Sequence, residues 1–168
     1  RQLLGNAIEY KDKTFFISTN IGIVNSNDVY TSDDYFINAD IAMNEAKLLG
    51  KNKYVLFTDV MKSTVLKNAE IGQLLEDACQ NEGFTVLYQP QINTMTGELR
   101  GYEALVRLSN QLIMPSNFIP IAEKDGHIAK IGRIVTEKVI KQMAEWRDSG
   151  MELHKVSINF SVGQIGDK

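Results

Sequence analysis

The chain has 168 residues, 43% of them hydrophobic and 23% charged, so it can bury a core and wholesale disorder is excluded. Eighteen Lys and Arg against 21 Asp and Glu give a net charge of −3, which argues against a nucleic-acid coat, so neither DNA nor RNA is an expected partner. A single cysteine, Cys79, rules out an internal disulfide framework or a multi-cysteine zinc site; no apolar run approaches the ~20 residues of a membrane span and no signal peptide is visible, so a soluble intracellular protein is expected.

In chain order, Ala7–Tyr10 and Thr14–Val24 are rich in Ile, Phe and Tyr and predict a hairpin around a polar turn, Lys11-Asp12-Lys13. Gly22 inside the second strand suggests a bulge or a close backbone approach. A polar loop, Asn25 to Thr31, leads into a helix capped by Ser32, with Asp33 and Asp34 in its first turn and a stripe of Phe36, Ala39, Met43 and Ala46. Gly50 ends it, with Lys47 and Lys51 near its negative end. Tyr54–Phe57 is a short strand. Asp59–Glu82 predicts a mostly helical linker with Leu66, Ile71, Leu74, Leu75 and Ala78 as its stripe, weakened at Gly72.

The second piece opens with a strand, Phe84–Gln89, stopped by Pro90, then a turn over Asn93–Glu98 and a strand from Leu99 to Leu108. Ser116 caps a short helix to about Lys124, and Gly126 breaks it. Ile128–Asp148 predicts a longer helix with Ile131, Ile134, Val135, Val139, Met143 and Trp146 on one side. Lys155–Phe160 is the last strand. The order of elements predicts an α/β architecture.

Residues two apart on a strand share a face. Tyr102, Ala104, Val106 and Leu108 form an apolar face for helices, which leaves Glu103, Leu105 and Arg107 on the other. Val156, Ile158 and Phe160 are likewise expected under helices, with Ser157, Asn159 and Ser161 opposite; Thr85, Leu87 and Gln89 oppose Phe84, Val86 and Tyr88. Polar groups gathered on one side of three strands suit a βα barrel with its site at strand ends. Glu103 and Arg107 could equally form a structural ion pair, and Asn159 and Gln89 could be plain strand-end residues. His127 and His154 lack partners at metal-ligand spacing and are expected at surfaces or caps; Cys79 is expected to be inert.

Four segments resemble EAL domains, the bacterial cyclic di-GMP phosphodiesterases: Tyr88-Gln89-Pro90, Tyr102 to Arg107, Pro115 to Glu123, and Val156 to Ser161, in register over Leu74–Gln164. The upstream piece resembles the C-terminal half of a GGDEF (diguanylate cyclase-type) domain through Ser18 to Ile23, Ala39 to Lys47 and Gly50 to Tyr54. The resemblance implies a partial GGDEF-like α/β sandwich over 1–58, a linker helix over 59–82, and the N-terminal part of an EAL, TIM-like barrel over 83–168. The sequence departs from the families in lacking the GGDEF signature loop, and at Asn44, Lys51, Leu108 and Phe160.

By resemblance, Glu103 and Asn159 are metal ligands for Mg²⁺ or Mn²⁺, Arg107 holds a substrate phosphate, Leu105 packs on a guanine and Gln89 hydrogen-bonds the ligand. Lys47 and Lys51 match phosphate-contacting positions of the GGDEF fold. The implied activity of the parent is hydrolysis of cyclic di-GMP to a linear dinucleotide in the cytoplasm, with membrane anchoring through an upstream region left open. The alternative is a degenerate tandem that senses cyclic di-GMP or docks a partner without turnover. The chain opens on Arg1 rather than Met, and the later acidic motifs of an EAL domain would lie past Lys168, so an inactive fragment is expected. A homodimer or higher oligomer, in which copies cover one another's open edges, is expected with it.

Overall fold

A computed structural model describes residues 7–26, 31–109 and 113–165, which fall into two units divided after Lys67. In the first unit, β1 (Ile8–Tyr10) and β2 (Lys13–Phe15) pair antiparallel. Lys11 and Asp12 both take positive φ, 47° and 60°, as a two-residue hairpin turn requires. The expected long second strand is two elements. It stops at Phe15, and a separate strand, β3 (Ile21–Ile23), pairs parallel with β4 (Tyr54–Leu56). Between them runs α1 (Ser32–Leu48), which completes a βαβ unit. Part of the expected polar loop before α1, residues 27–30, lies outside the described residues.

The cap of α1 is Thr31, one residue before the expected Ser32; its hydroxyl accepts from the Asp34 amide at 3.3 Å. The buried row is Asn38, Ala42 and Ala46, at i, i+4 spacing. Phe36, placed in the stripe by sequence, lies about 200° around the helix from Asn38 and is 79% exposed. Small side chains on this row bring α1 close to β3. A Cβ at Gly22 would lie 2.5 Å from the Met43 nitrogen and run into the Ala39 carbonyl, so the close approach expected at Gly22 is present. Gly22→Ala is expected to cost this unit about 1–3 kcal/mol, read as faster amide exchange in β3 and β4; exchange unchanged from wild type would contradict the packing.

α2 (Asp59–Gln80) runs through Gly72 without a break. Its C-terminal half belongs to the second unit and buries Ile71, Leu75, Ala78 and Cys79, while Leu66 in its N-terminal half is 58% exposed. Burial pushes the Cys79 thiol up, which suits the expected inert residue.

The second unit is built on a three-stranded sheet in the order β5 (Phe84–Ile92), β6 (Leu99–Leu108), β7 (Lys155–Ile158). β5 runs through Pro90 rather than stopping there. As an edge strand it can present the missing N–H outward. The turn expected over Asn93–Glu98 is present: the Asn93 side chain accepts from the Met95 amide at 2.9 Å, and Gly97 takes φ 73°. So short a link can join only antiparallel strands. β5 is accordingly antiparallel to β6, whereas β7 is parallel to it.

α3 (Pro115–Lys124) starts at Pro115 with Met114 in the cap position, not at Ser116; proline suits a first helical turn, where its missing N–H is not needed. α4 (Ile128–Asp148) matches its expected bounds and buries Ile128, Ile131, Val135 and Val139. The core joins these to Phe84, Ala104, Leu108, Phe118 and the buried face of α2. Trp146 of α4 packs on Tyr88 and Tyr102 of the sheet, ring centroids 4.9 and 5.4 Å apart. The helices therefore cover one sheet face, as the alternation predicts. The opposite face carries Thr85, Leu87 and Gln89, all exposed, with half-buried Glu103, Leu105 and Arg107.

Candidate functional site

Register places the expected residues in rows across the open face. Gln89 pairs with Glu103, and Glu103 with Ser157; Leu87 pairs with Leu105, and Thr85 with Arg107. β7 ends at Ile158, two residues short of the expected end, so Asn159 and Phe160 lie in the segment that leaves the sheet. This releases Phe160 from the helix-covered face, and it is 68% exposed. It also lets Asn159 turn toward β6. Its Nδ2 donates to Glu103 Oε1 at 2.8 Å, a bond across 56 residues of sequence.

Glu103 is thus tied to Asn159, and Arg107 donates from Nη1 to the Val106 carbonyl at 2.8 Å rather than pairing with Glu103. A cavity of about 310 Å³ opens beside this end of the sheet, between it and α3 and α4. Leu105, Arg107 and Asn159 line it, with Ile119, Ile131 and Val135 as its apolar floor; Gln89 and Glu103 do not.

Glu103, in the middle of β6, and Asn159, just past the end of β7, bring together a carboxylate and a carboxamide, hard oxygen donors of the kind Mg²⁺ or Mn²⁺ takes. They supply two of the roughly six ligands such ions take. Among the described residues no group of three or more His, Cys, Asp or Glu could hold a metal. Lys47 and Lys51 belong to the first unit: Lys47 bonds Asn44 Oδ1 at 3.4 Å, and Lys51 is exposed in the turn after α1. His127 sits in the cap position of α4, 3.6 Å from Glu76, and His154 lies edge-on to Tyr102. Both are half-buried.

One arrangement escapes strand alternation. After Asn159 the chain makes a 3-10 turn, Val162–Gln164, capped by Ser161. The Ser161 N–H donates to Gln164 Oε1 at 2.6 Å, and the Ser161 hydroxyl donates to Glu123 Oε1 of α3 at 2.6 Å. The Ser161-x-x-Gln164 spacing is a capping-box pattern, so half of this was visible in the sequence. The tie to Glu123 was not, because it joins residues 38 apart.

Residues 73–168 match the EAL domain family. The cyclic di-GMP phosphodiesterase PdeR of Escherichia coli (strain K12) is 37% identical over 158 residues, 91% of this chain and 23% of PdeR. The chain spans about a fifth of the length of the curated relatives it matches. The EAL domain of Xanthomonas citri FimX, solved in complex with c-diGMP, superposes with a TM-score of 0.54 at 25% identity, covering 63% of this chain and 42% of that one. The S helix-GGDEF-EAL segment of Vibrio cholerae LapD, bound to c-di-GMP, covers 87% of this chain and 35% of its own with a TM-score of 0.50; at 18% identity this is a likeness of fold alone.

Proposed function

The chain belongs to the EAL domain family, and from that premise we propose that it is part of a bacterial protein that hydrolyses cyclic di-GMP to the linear dinucleotide. The observation that carries the reading is the Asn159–Glu103 contact, which joins two oxygen-bearing side chains of separate EAL-like motifs at 2.8 Å. Glu103 and Asn159 would hold a divalent ion, Mg²⁺ or Mn²⁺. Such an ion lowers the pKa of bound water and neutralises phosphate charge. Arg107, on the same face as Glu103 and at the cavity edge, has the fork geometry to hold a phosphate oxygen pair. Leu105 offers a flat apolar contact for a guanine, and Gln89, across the register from Glu103, a hydrogen bond to the ligand.

We assign the upstream residues, 1–58, to the C-terminal half of a GGDEF-like domain, 59–82 to a linker helix and 83–168 to the EAL part. The β3–α1–β4 unit and the fold likeness to a GGDEF-EAL segment support this division. Lys47 and Lys51 would be the phosphate-side residues of that half. Among the described residues no helix is long and apolar enough to cross a membrane. The reading has the domain work in the cytoplasm, where nucleotides are made.

The test is incubation of the full-length protein with cyclic di-GMP and Mn²⁺, with chromatographic detection of the linear dinucleotide. Binding without product would favour the sensing alternative. The 168-residue chain alone is expected to show no turnover above its own Glu103→Ala variant, because its described residues hold no cluster of three metal-ligating side chains.

Self-association belongs to the same proposal. Leu87, Phe160, Val162 and Ile165 are 53%, 68%, 80% and 72% exposed in the second unit, apolar side chains that a second copy would cover. Light scattering at tens of micromolar is expected to give a dimer or larger species, and a stable monomer would reject it.

A further inference from the structure

Asn159 meets Glu103 from a segment that has already left β7, so something other than the strand must set its direction. Two residues on, Ser161 is held from both sides. Its hydroxyl donates to Glu123 Oε1 at 2.6 Å and accepts from the Gly163 amide at 3.3 Å. Its N–H donates to Gln164 Oε1 at 2.6 Å, and its carbonyl accepts from the Gln164 amide at 3.0 Å. The Gln164 side chain in turn lies against α4 at Gly132, where any Cβ would run into the amide. Residues 159–161 are therefore pinned between α3 and α4.

The capping box is complete with Ser161 and Gln164 alone. Glu123 adds a short, charge-assisted bond that the cap does not need, and it comes from a different helix. We propose that Glu123 is a positioning residue, which through Ser161 aims the exit of β7 so that Asn159 meets Glu103. Its importance for catalysis rests on the reading of Asn159 and Glu103 as the metal-holding pair; the positioning itself does not.

The two are separable by experiment. In the ¹⁵N-labelled 168-residue chain, the Asn159 carboxamide signals are identified by their loss in Asn159→Ser. Glu123→Ala and Ser161→Ala are each expected to move those signals and to speed their hydrogen exchange about tenfold, the scale of one bond to a charged group. The double variant should do no more than Ser161→Ala alone, since that substitution already breaks the tie to Glu123 together with the cap bond from Gly163. Glu123→Gln, which keeps an acceptor, should stay close to wild type. Backbone signals of Ala104 and Val135 in the core should not move. An unmoved Asn159 signal in Glu123→Ala overturns the proposal, and so does a disturbance spread equally to Ala104 and Val135, which marks a merely structural role. In the full-length protein, Glu123→Ala should raise the Mn²⁺ concentration needed for half-maximal hydrolysis more than it lowers the maximal rate. A Glu103→Ala protein with an unchanged Mn²⁺ requirement would remove the metal reading instead, and the NMR result would still decide the case of Glu123.

Discussion

Glu103→Ala in the full-length protein is expected to lower cyclic di-GMP hydrolysis by more than about a hundredfold, with the fold intact. Glu103 is half-buried in the middle of β6 and accepts a side-chain hydrogen bond from Asn159. Removing it deletes the single carboxylate of the proposed pair and leaves the Asn159 amide without its acceptor. The effect should fall on the metal requirement as well as on the rate, because a lost ligand weakens the clamp that activates water and shields the phosphate. Glu103→Gln keeps the size and an acceptor oxygen but not the charge, and is expected to recover little. Glu152→Ala, an exposed carboxylate elsewhere in the second unit, serves as the control and should act like wild type. Activity of Glu103→Ala within about threefold of wild type would contradict the assigned role.

What the sequence could deliver follows the range of the interactions concerned. Helix bounds for α4 and the extent of β6 were legible because each is a long segment with one period, 3.6 or 2, from end to end. The break between β2 and β3 was not, because Phe16 and Ile17 are as apolar as the strands beside them, and only pairing with β4, 30-odd residues away, shows where a strand is needed. Phe36 misled for a related reason: a large apolar side chain outweighs small ones in a periodic pattern, yet the tight approach of α1 to Gly22 needs the small ones. At the site, the residue types and faces of Glu103, Leu105 and Arg107 came from alternation. The meeting of Glu103 with Asn159 depends on β7 lying beside β6, and the hold of Glu123 on Ser161 on α3 lying beside both. Neither leaves a local trace.

The same contrast between large side chains gives the strongest stability prediction. Phe118 of α3 is fully buried, as is Phe84 of β5, and their rings lie 6.4 Å apart at 50°. They join the first strand of the sheet to the helix that carries Glu123. Phe118→Ala removes a whole ring from a core that cannot refill the space, at an expected cost of about 3–5 kcal/mol. A domain of this size commonly has about 5–15 kcal/mol in total, so the loss is a large share of it. Phe160→Ala, which deletes the same ring from a position 68% exposed, is expected to stay within about 0.5 kcal/mol of wild type in a monomeric sample. Trp146 is the only tryptophan of the chain and sits between Tyr88 and Tyr102, so its fluorescence reports unfolding of the second unit without contribution from the first. Urea titrations followed at Trp146 should therefore show a much lower midpoint for Phe118→Ala and an unmoved one for Phe160→Ala. Equal shifts for the two would mean that Phe160 is covered in solution, as the proposed self-association requires, and repeating the titration at a concentration low enough to dissociate the assembly should then separate them again.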